Sequence, residues 1–492
     1  MRIDSFVGKN AKENPHQLAL IEGEKTISYE CLDKDIDQIA LSIKEFGNCR
    51  FAVMAESGIQ YVKMLLAVYR SDNIAIPLPI ELAVLGLERI LDTASIRHII
   101  VTETQYSRFG KAFFNRFSTV ILVNDDSSVD ILRKVVVDEL NNPDLRLVLY
   151  TSGTTGTPKG VMLSDRNLVA NAESIIEILG IAPADKAALV FSPHHAFGNS
   201  IINSHLMAGG CVCIGSMSFM GSVFSMLESG ISMFYGVPST YRLLLRYPEK
   251  FKSAFGNVRL AATAGGAIDN IIVNNLKDSN PDISILPMYG QTEATARLAF
   301  LPADDVSEFY DTIGKAIPGV TLDVFDADNK PTEPGITGEL VASGDNIMLG
   351  YLDNECATEK KIMDGWMHTG DLAKKLPNGY FKLLGRKDDI IKIGDHRVNP
   401  RELEKYIEEN TDVSGVFVVP VPHEILGNAI SIMVMPNGSN DIDSVFSFCK
   451  KNLPGYLCPL EVLHIDHLPL SENGKICNRS IIEGYQSVKN SM

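Results

Sequence analysis

Residues 150–160 read YTSGTTGTPKG, and this stretch decides how the rest of the chain is understood. An apolar run, LRLVLY (145–150), leads in and reads as a buried strand. VMLSDRNLVANAESIIEIL (161–179) leads out as a short strand and then a helix that Ser164 can cap. The apolar face of that helix is Leu168, Val169, Ala172, Ile175, Ile176 and Leu179. Between the two lie Thr151, Ser152, Gly153, Thr154, Thr155, Gly156 and Lys159: hydroxyls, backbone N–H groups and one cation. Such a loop suits a polyphosphate, because glycines let the backbone approach oxygen and N–H groups in a turn form an anion-binding concavity. A flexible linker would not be wedged between two strongly apolar segments. A Walker A loop needs Gly-Lys-Ser/Thr after its four-residue gap; the order Gly156-Thr-Pro-Lys159-Gly160 fails that pattern.

A chain of 492 residues is too long for one core and predicts at least two domains. With 45% hydrophobic and 22% charged residues it has the composition of a globular protein. The net charge of −16 argues against a nucleic-acid partner, since phosphate backbones want clustered Lys and Arg. No segment is long and apolar enough to span a bilayer, and MRIDSFVGKNAKENP at the start lacks the apolar core of a signal peptide. The eight cysteines are scattered; the one close pair, Cys211 and Cys213 in CVCIG, has neither zinc nor thioredoxin spacing. Reduced thiols in a cytoplasmic protein are the expectation.

Apolar strands alternate with helices from TISYECL (26–32) through FAVMAES (51–57), YVKMLLAVYRS (61–71), IAIPLPI (74–80), HIIVTE (98–103) and VILVN (120–124). That alternation predicts a large α/β domain with a mainly parallel sheet. From about 312 to 352 short strands and Gly/Pro turns predict a small β-rich, barrel-like module. A helix, PRELEKYIEEN (400–410), and strands VSGVFVVPVP (413–422) and AISIMVMP (429–436) predict a separate small α+β domain.

The loop at 150–160 resembles the signature of the adenylate-forming superfamily, which holds acyl-CoA synthetases, firefly-type luciferases and the adenylation domains of peptide synthetases. Further segments match that family in order and cover most of the chain. MYGQTEAT (288–295) is similar to the segment that closes over adenine and the reacting carboxylate. The resemblance implies that Tyr289 lies against the base, Gly290 belongs to the ATP site, Thr292 touches the α-phosphate and Glu293 helps hold magnesium. ATAGGAID (262–269) resembles the family's Gly-rich turn, which would set Gly265 and Gly266 beside the adenine, and HTGDLA (368–373) by the same resemblance gives Asp371 to the ribose. GELVASGDNIMLGYL (338–352) matches a structural family segment. In GRKDDIIKIGDHRVNPRELE (385–404), Arg386 corresponds to a nucleotide contact and Asp388 to the family hinge. The implied organisation is an adenylation domain over 1–386 and a mobile C-terminal lid over 387–492. PLSENGKICNR (469–479) carries Lys475 at the position of the catalytic lysine.

The implied reaction is attack of a carboxylate on the α-phosphorus of ATP with magnesium, release of pyrophosphate, and transfer of the acyl group to a pantetheine thiol. The alternatives are CoA or an acyl carrier protein as acceptor, and a non-catalytic nucleotide-binding relative. SPHHAFGNSI (192–201) resembles the segment gating the acyl pocket in luciferases and acyl-CoA ligases, with His195 at the matching position and Tyr235 in YGVPSTYRLLL deeper in. Paired histidines could suggest zinc, but neighbours on a strand point to opposite faces. The HHxxxDG signature of condensation-type acyltransferases fails at Asn199 and Ser200. Amino-acid-activating relatives carry Asp where this chain has Gly198, so a fatty, short-chain or aryl acid is expected rather than an α-amino acid. One departure concerns the thiol tunnel: after Gly394 the chain has Asp395 where many ligases have a second glycine. The change favours a dedicated carrier protein if its side chain obstructs the tunnel, and is harmless if it faces solvent.

Overall fold

The computed structural model describes all residues except 1, 81–83, 136–141, 152–157, 218–219, 267, 390, 394–395, 425, 437–441, 470–477 and 492. The chain forms two compact units: Met1–Leu322 with Val341–His368, and Asp323–Leu340 with Thr369–Met492.

The first unit is built on two large sheets. Among the described residues, one has eight strands in the order Gly350–Tyr351, Lys159–Ser164, Leu145–Thr151, Ile74–Pro77, Arg50–Met54, His98–Thr102, Thr119–Val123 and Val129–Arg133. Its central strands, from Leu145–Thr151 to Thr119–Val123, run parallel. The other has nine, from Lys315–Ala316 through Ser284–Tyr289, Leu260–Thr263, Met233–Gly236 and Lys186–Leu189 to Lys25–Ser28. Helices Tyr29–Ile43, Ile59–Arg70, Asp165–Leu179 and Ala196–Ala208 share one core with both sheets. Two further cores cover the outer faces. The period-2 pattern of a strand explains how one segment serves two cores: Ala187 and Leu189 face the shared core, Ala188 and Val190 the outer one. Cys211 and Cys213 likewise share the outer face, buried and unpaired with each other or any described cysteine.

The helix after the opening stretch begins where Ser164 predicts. Its side chain accepts from the Asn167 N–H, and Asn167 returns the bond, a reciprocal cap. The predicted apolar face is buried, with Ile176 partly exposed. Gly180 ends the helix at φ 56°, a left-handed conformation that glycine adopts without strain.

The β-rich region is more dispersed than expected. Lys315–Ala316 joins the nine-stranded sheet and Gly350–Tyr351 the eight-stranded one. A five-stranded sheet of Val320–Phe325, Thr337–Gly344, Trp366–Lys375, Ile362–Met363 and Phe381–Arg386 remains and runs well past residue 352. Short strands with polar turns carry no signal of which sheet edge they extend, since pairing is set by partners remote in sequence. Residues 369–386, expected in the large domain, cluster with the second unit. They pair there: Asp371 opposes Arg386, and the Thr369 hydroxyl donates to the Leu340 carbonyl.

In the second unit Val413–His423 and Gly427–Pro436 pair antiparallel, and Val462–His464 adds in parallel. One face packs on helices Pro400–Asn410 and Ile442–Asn452, the other on Asn478–Ser491. No helix among the described residues is long and apolar enough to cross a membrane.

Candidate active site

The opening stretch spans a hairpin. Thr151 pairs with Lys159 and Tyr150 with Gly160. Thr151 and Lys159 thus stand at the two rims of the loop, while Ser152, Gly153, Thr154, Thr155 and Gly156 lie outside the described residues. Gly160 serves packing: a Cβ there would stand 2.9 Å from Val148 Cγ1 and 3.2 Å from the Leu352 side chain. Its carbonyl accepts from Leu352 N–H at 2.7 Å, which brings Gly350–Tyr351 alongside.

That third strand completes the site. The Lys159 ammonium lies 5.1 Å from the centre of the Tyr351 ring. The Tyr351 hydroxyl donates to Glu293 Oε1 at 2.7 Å. One tyrosine thus connects the loop's cation to the carboxylate of the YGQTE segment. Tyr351 sits in a segment that the sequence marks only as structural; the signal was present, in GDNIMLGYL, but its partner is 58 residues away.

The YGQTE segment opens the connection between two antiparallel strands in which Tyr289 opposes Ala299. Gly290 is obligatory: a Cβ would fall 1.8 Å from the Ala296 carbonyl oxygen and 2.7 Å from Arg297 Cα. Thr292, Glu293 and Ala294 form one 3₁₀ turn, followed by Thr295 at φ 65°. A β-branched residue there is a genuine outlier. Its surroundings hold it: the Thr295 hydroxyl donates to the Asn346 carbonyl at 2.7 Å, and Asn346 Nδ2 donates to the carbonyls of Ala294 and Arg297 at 3.2 and 2.9 Å. Met348 N–H donates to the Glu293 carbonyl at 2.9 Å. Lys361 Nζ donates to Gln291 Oε1 at 2.9 Å. Strain of this kind, fixed on several sides, is a mark of functional loops. Glu293 is half-buried with one oxygen engaged by Tyr351. A carboxylate has about four acceptor sites, so it retains the oxygen donors that a hard divalent ion prefers. The residues present therefore fit magnesium. No cluster of three or more His, Cys, Asp or Glu suited to a metal occurs among the described residues.

Gly265 and Gly266 follow the strand Leu260–Thr263, Gly265 at φ 76° and Gly266 with its missing Cβ 3.3 Å from the Pro238 ring. A side chain at either would alter the turn, which keeps a smooth wall here.

His194 and His195 are on the turn before the helix Ala196–Ala208, not on a strand, because Pro193 and the N-cap intervene. They still diverge. His195 is the exposed N-cap residue; His194 is buried, with Nδ1 2.7 Å from the Ser192 hydroxyl and its ring edge-on to Tyr61. Burial pushes the His194 pKa down to about 3, with His195 adding a smaller push. Gly198 is packed against the Ser192 carbonyl, which a Cβ would meet at 2.6 Å. An ammonium-holding Asp has no room at that position. Tyr235 is fully buried on its strand, its hydroxyl unpartnered and its pKa raised by burial.

In the second unit Arg386 Nη1 donates to Asp371 Oδ1 at 3.1 Å, and Lys387 Nζ to Glu339 Oε2 at 2.9 Å. Gly370, at φ 80°, brings the backbone beside the Arg386 guanidinium. Asp388 lies in the 3₁₀ turn Lys387–Asp389. Gly394, Asp395 and Lys475 lie outside the described residues.

A family model described as AMP-binding enzyme matches residues 7–352, and one described as AMP-binding enzyme C-terminal domain matches 402–475. A feruloyl-CoA synthase of an Amycolatopsis species is 28% identical over 96% of this chain and 97% of its own length. The crystal structure of ATP-bound MatB from Rhodopseudomonas palustris superimposes with a TM-score of 0.86 at 24% identity, covering 99% of this chain and 100% of that one. The structure of O-succinylbenzoate coenzyme A synthetase from Bacillus subtilis, in complex with ATP and magnesium ion, gives 0.81 at 21% identity over 97% of this chain and 99% of that one.

Proposed function

The chain belongs to the family of AMP-binding enzymes, and we propose that it joins a small carboxylic acid to the thiol of coenzyme A through an acyl-adenylate. It is an AMP-forming acid–thiol ligase that uses ATP and magnesium. The observation that carries the assignment of roles is Tyr351, whose ring underlies the Lys159 ammonium and whose hydroxyl holds Glu293.

The chemistry asks for no general base, because a carboxylate is already a nucleophile at pH 7. The obstacle is the approach of two anions, so charge stabilisation and positioning dominate. In this reading Lys159 and the hydroxyl loop grip the outgoing phosphates. Glu293 would hold magnesium, which supplies neutralisation of the polyphosphate when bound. Tyr289 and the Gly265–Gly266 turn flank the adenine, Thr292 meets the α-phosphate, and Asp371 with Arg386 takes the ribose. Lys475 stabilises the transition state, and the lid turns about Asp388 before the thiol attacks. A cytoplasmic setting is consistent with the described cysteines, all free.

The substrate class proposed is a fatty, short-chain or aryl acid. Gly198 supports it by excluding a carboxylate partner for an α-ammonium, and the relative named feruloyl-CoA synthase acts, by its name, on an aryl acid. The test is acid-dependent ATP–pyrophosphate exchange with magnesium and without CoA, followed by thioester formation with CoA or with a phosphopantetheinyl carrier protein. Exchange with one acid class and thioester on CoA are expected. Absence of exchange with every acid, while ATP binds, would overturn the reading; thioester on the carrier alone would replace CoA as acceptor.

A further inference from the structure

Beside the residues assigned to acid binding lies a buried cation. Arg297 is 1% exposed. Its Nη1 donates to the Ser200 hydroxyl, and the guanidinium lies 4.5 Å from the centre of the Phe197 ring. Nε and Nη2 are buried without a hydrogen-bond partner, and no carboxylate among the described residues pairs with the group. Burial lowers its pKa to about 10, so it stays charged at pH 7. An uncompensated buried charge is among the most destabilising features a fold can carry.

The unsatisfied atoms share a geometry. Nε and Nη2 form one edge of the planar guanidinium, the edge that receives a carboxylate through two parallel hydrogen bonds. Near it, the hydroxyl of Tyr235 is also buried and unpartnered. Tyr235 packs edge-on to Phe197, and its interaction with Arg297 is felt in the pKa of both groups. Ser200 and Phe197 belong to the first turns of the helix Ala196–Ala208, whose N-cap His195 makes no side-chain cap. That helix end adds positive potential on the same side. The backbone of Arg297 abuts Gly290, so the cation sits one residue's reach from the YGQTE loop.

We propose that Arg297 receives a second carboxylate of the substrate, with the Tyr235 hydroxyl as a further donor, so that the preferred acids are dicarboxylic. One carboxylate is adenylated; the other neutralises the guanidinium edge. The group is enclosed in this structure, and the half-buried Phe197 ring lying over it must turn aside to admit the acid. The proposal rests on the acid-activating reading above and narrows it.

The experiment is ATP–pyrophosphate exchange by the full-length enzyme with matched pairs: hexanoate against hexanedioate, decanoate against decanedioate, cinnamate against 4-carboxycinnamate. A kcat/KM ratio of about 100-fold in favour of the dicarboxylate is expected for at least one pair, because the monoacid leaves a buried charge unpaired. Arg297→Met should reverse the preference, and Tyr235→Phe should reduce it while keeping its sign. A purely structural Arg297 would lower thermal stability in the Met variant and leave the ratio unchanged. Exchange with monocarboxylates at equal or higher kcat/KM in every wild-type pair overturns the second-carboxylate site and leaves acid activation standing. That comparison needs only the wild type, should the variant fail to fold. Exchange with no acid of either series, with ATP bound, overturns both readings.

Discussion

Tyr351→Phe isolates the link between Lys159, at the rim of the hydroxyl-rich loop, and the YGQTE carboxylate. The substitution keeps the ring under Lys159, 5.1 Å away, and deletes only the hydroxyl that donates to Glu293 Oε1 at 2.7 Å. Two effects oppose each other. Losing the donor returns electron density to the carboxylate, which favours a cation. It also frees a half-exposed side chain to leave its rotamer, which disfavours one. Orientation should win, because removal of partners that orient metal ligands costs about 10–100-fold in metal affinity. Glu293 is half-buried, and water will replace part of the lost bond, so the lower end applies: about tenfold, or about 1.4 kcal/mol. The assay is magnesium titration of ATP–pyrophosphate exchange at saturating ATP and acid. The half-saturating magnesium concentration should rise about tenfold with maximal rate mostly recovered at high magnesium. An unchanged magnesium dependence with a lowered maximal rate would refute the role given to this bond. Tyr351→Leu should add a loss of pyrophosphate-dependent reversal, since it also strips the surface under Lys159.

Three further outcomes are expected. Lys475→Ala should abolish adenylation while leaving thioester formation from supplied acyl-adenylate largely intact; equal loss of both half-reactions would remove Lys475 from the first step. Gly198→Asp should destroy exchange without creating amino-acid activation, because its Cβ would stand 2.6 Å from the Ser192 carbonyl; gain of exchange with an α-amino acid would contradict the packing argument. Burial holds His194 at about 3 and His205, buried in the helix Ala196–Ala208, at about 4, whereas the unfolded chain binds protons from about 6.5. The stability supplied by burying them neutral is therefore complete above about pH 6.5 and falls below it by about 1.4 kcal/mol per pH unit for each histidine. Urea unfolding at pH 7, 6 and 5 measures this, and a flat profile across that range would count against it.

The fold is readable where local signals are strong. The helix Asp165–Leu179 has a cap, an apolar face and a terminal glycine within one short stretch, and each appears where the residues place it. The helix Pro400–Asn410 begins at its proline, behind the Asn399 cap. The family resemblance can propose roles for Tyr289, Glu293 and Asp371 because their segments are long and contiguous. What escapes are side chains whose meaning lies in remote partners. Arg297 follows the matched segment by two residues, and nothing local marks the buried place it takes against the helix Ala196–Ala208. Tyr351 gains its role only when its strand is laid beside Lys159–Ser164. The histidine pair shows the opposite failure. A local reading takes it for a strand, and the structure sets it on the turn before the helix Ala196–Ala208, with His194 buried and His195 exposed.

The short run from Asn346 to Tyr351 is anchored at both ends: Asn346 to the carbonyls of Ala294 and Arg297 at the rim of one sheet, Tyr351 in register with Val161 at the edge of the other. Its length is therefore not adjustable. A single inserted residue would turn Tyr351 to the wrong face of its strand or pull Asn346 off the Thr295 turn. This segment behaves as a gauge block, and a library that varies its length should return no active members.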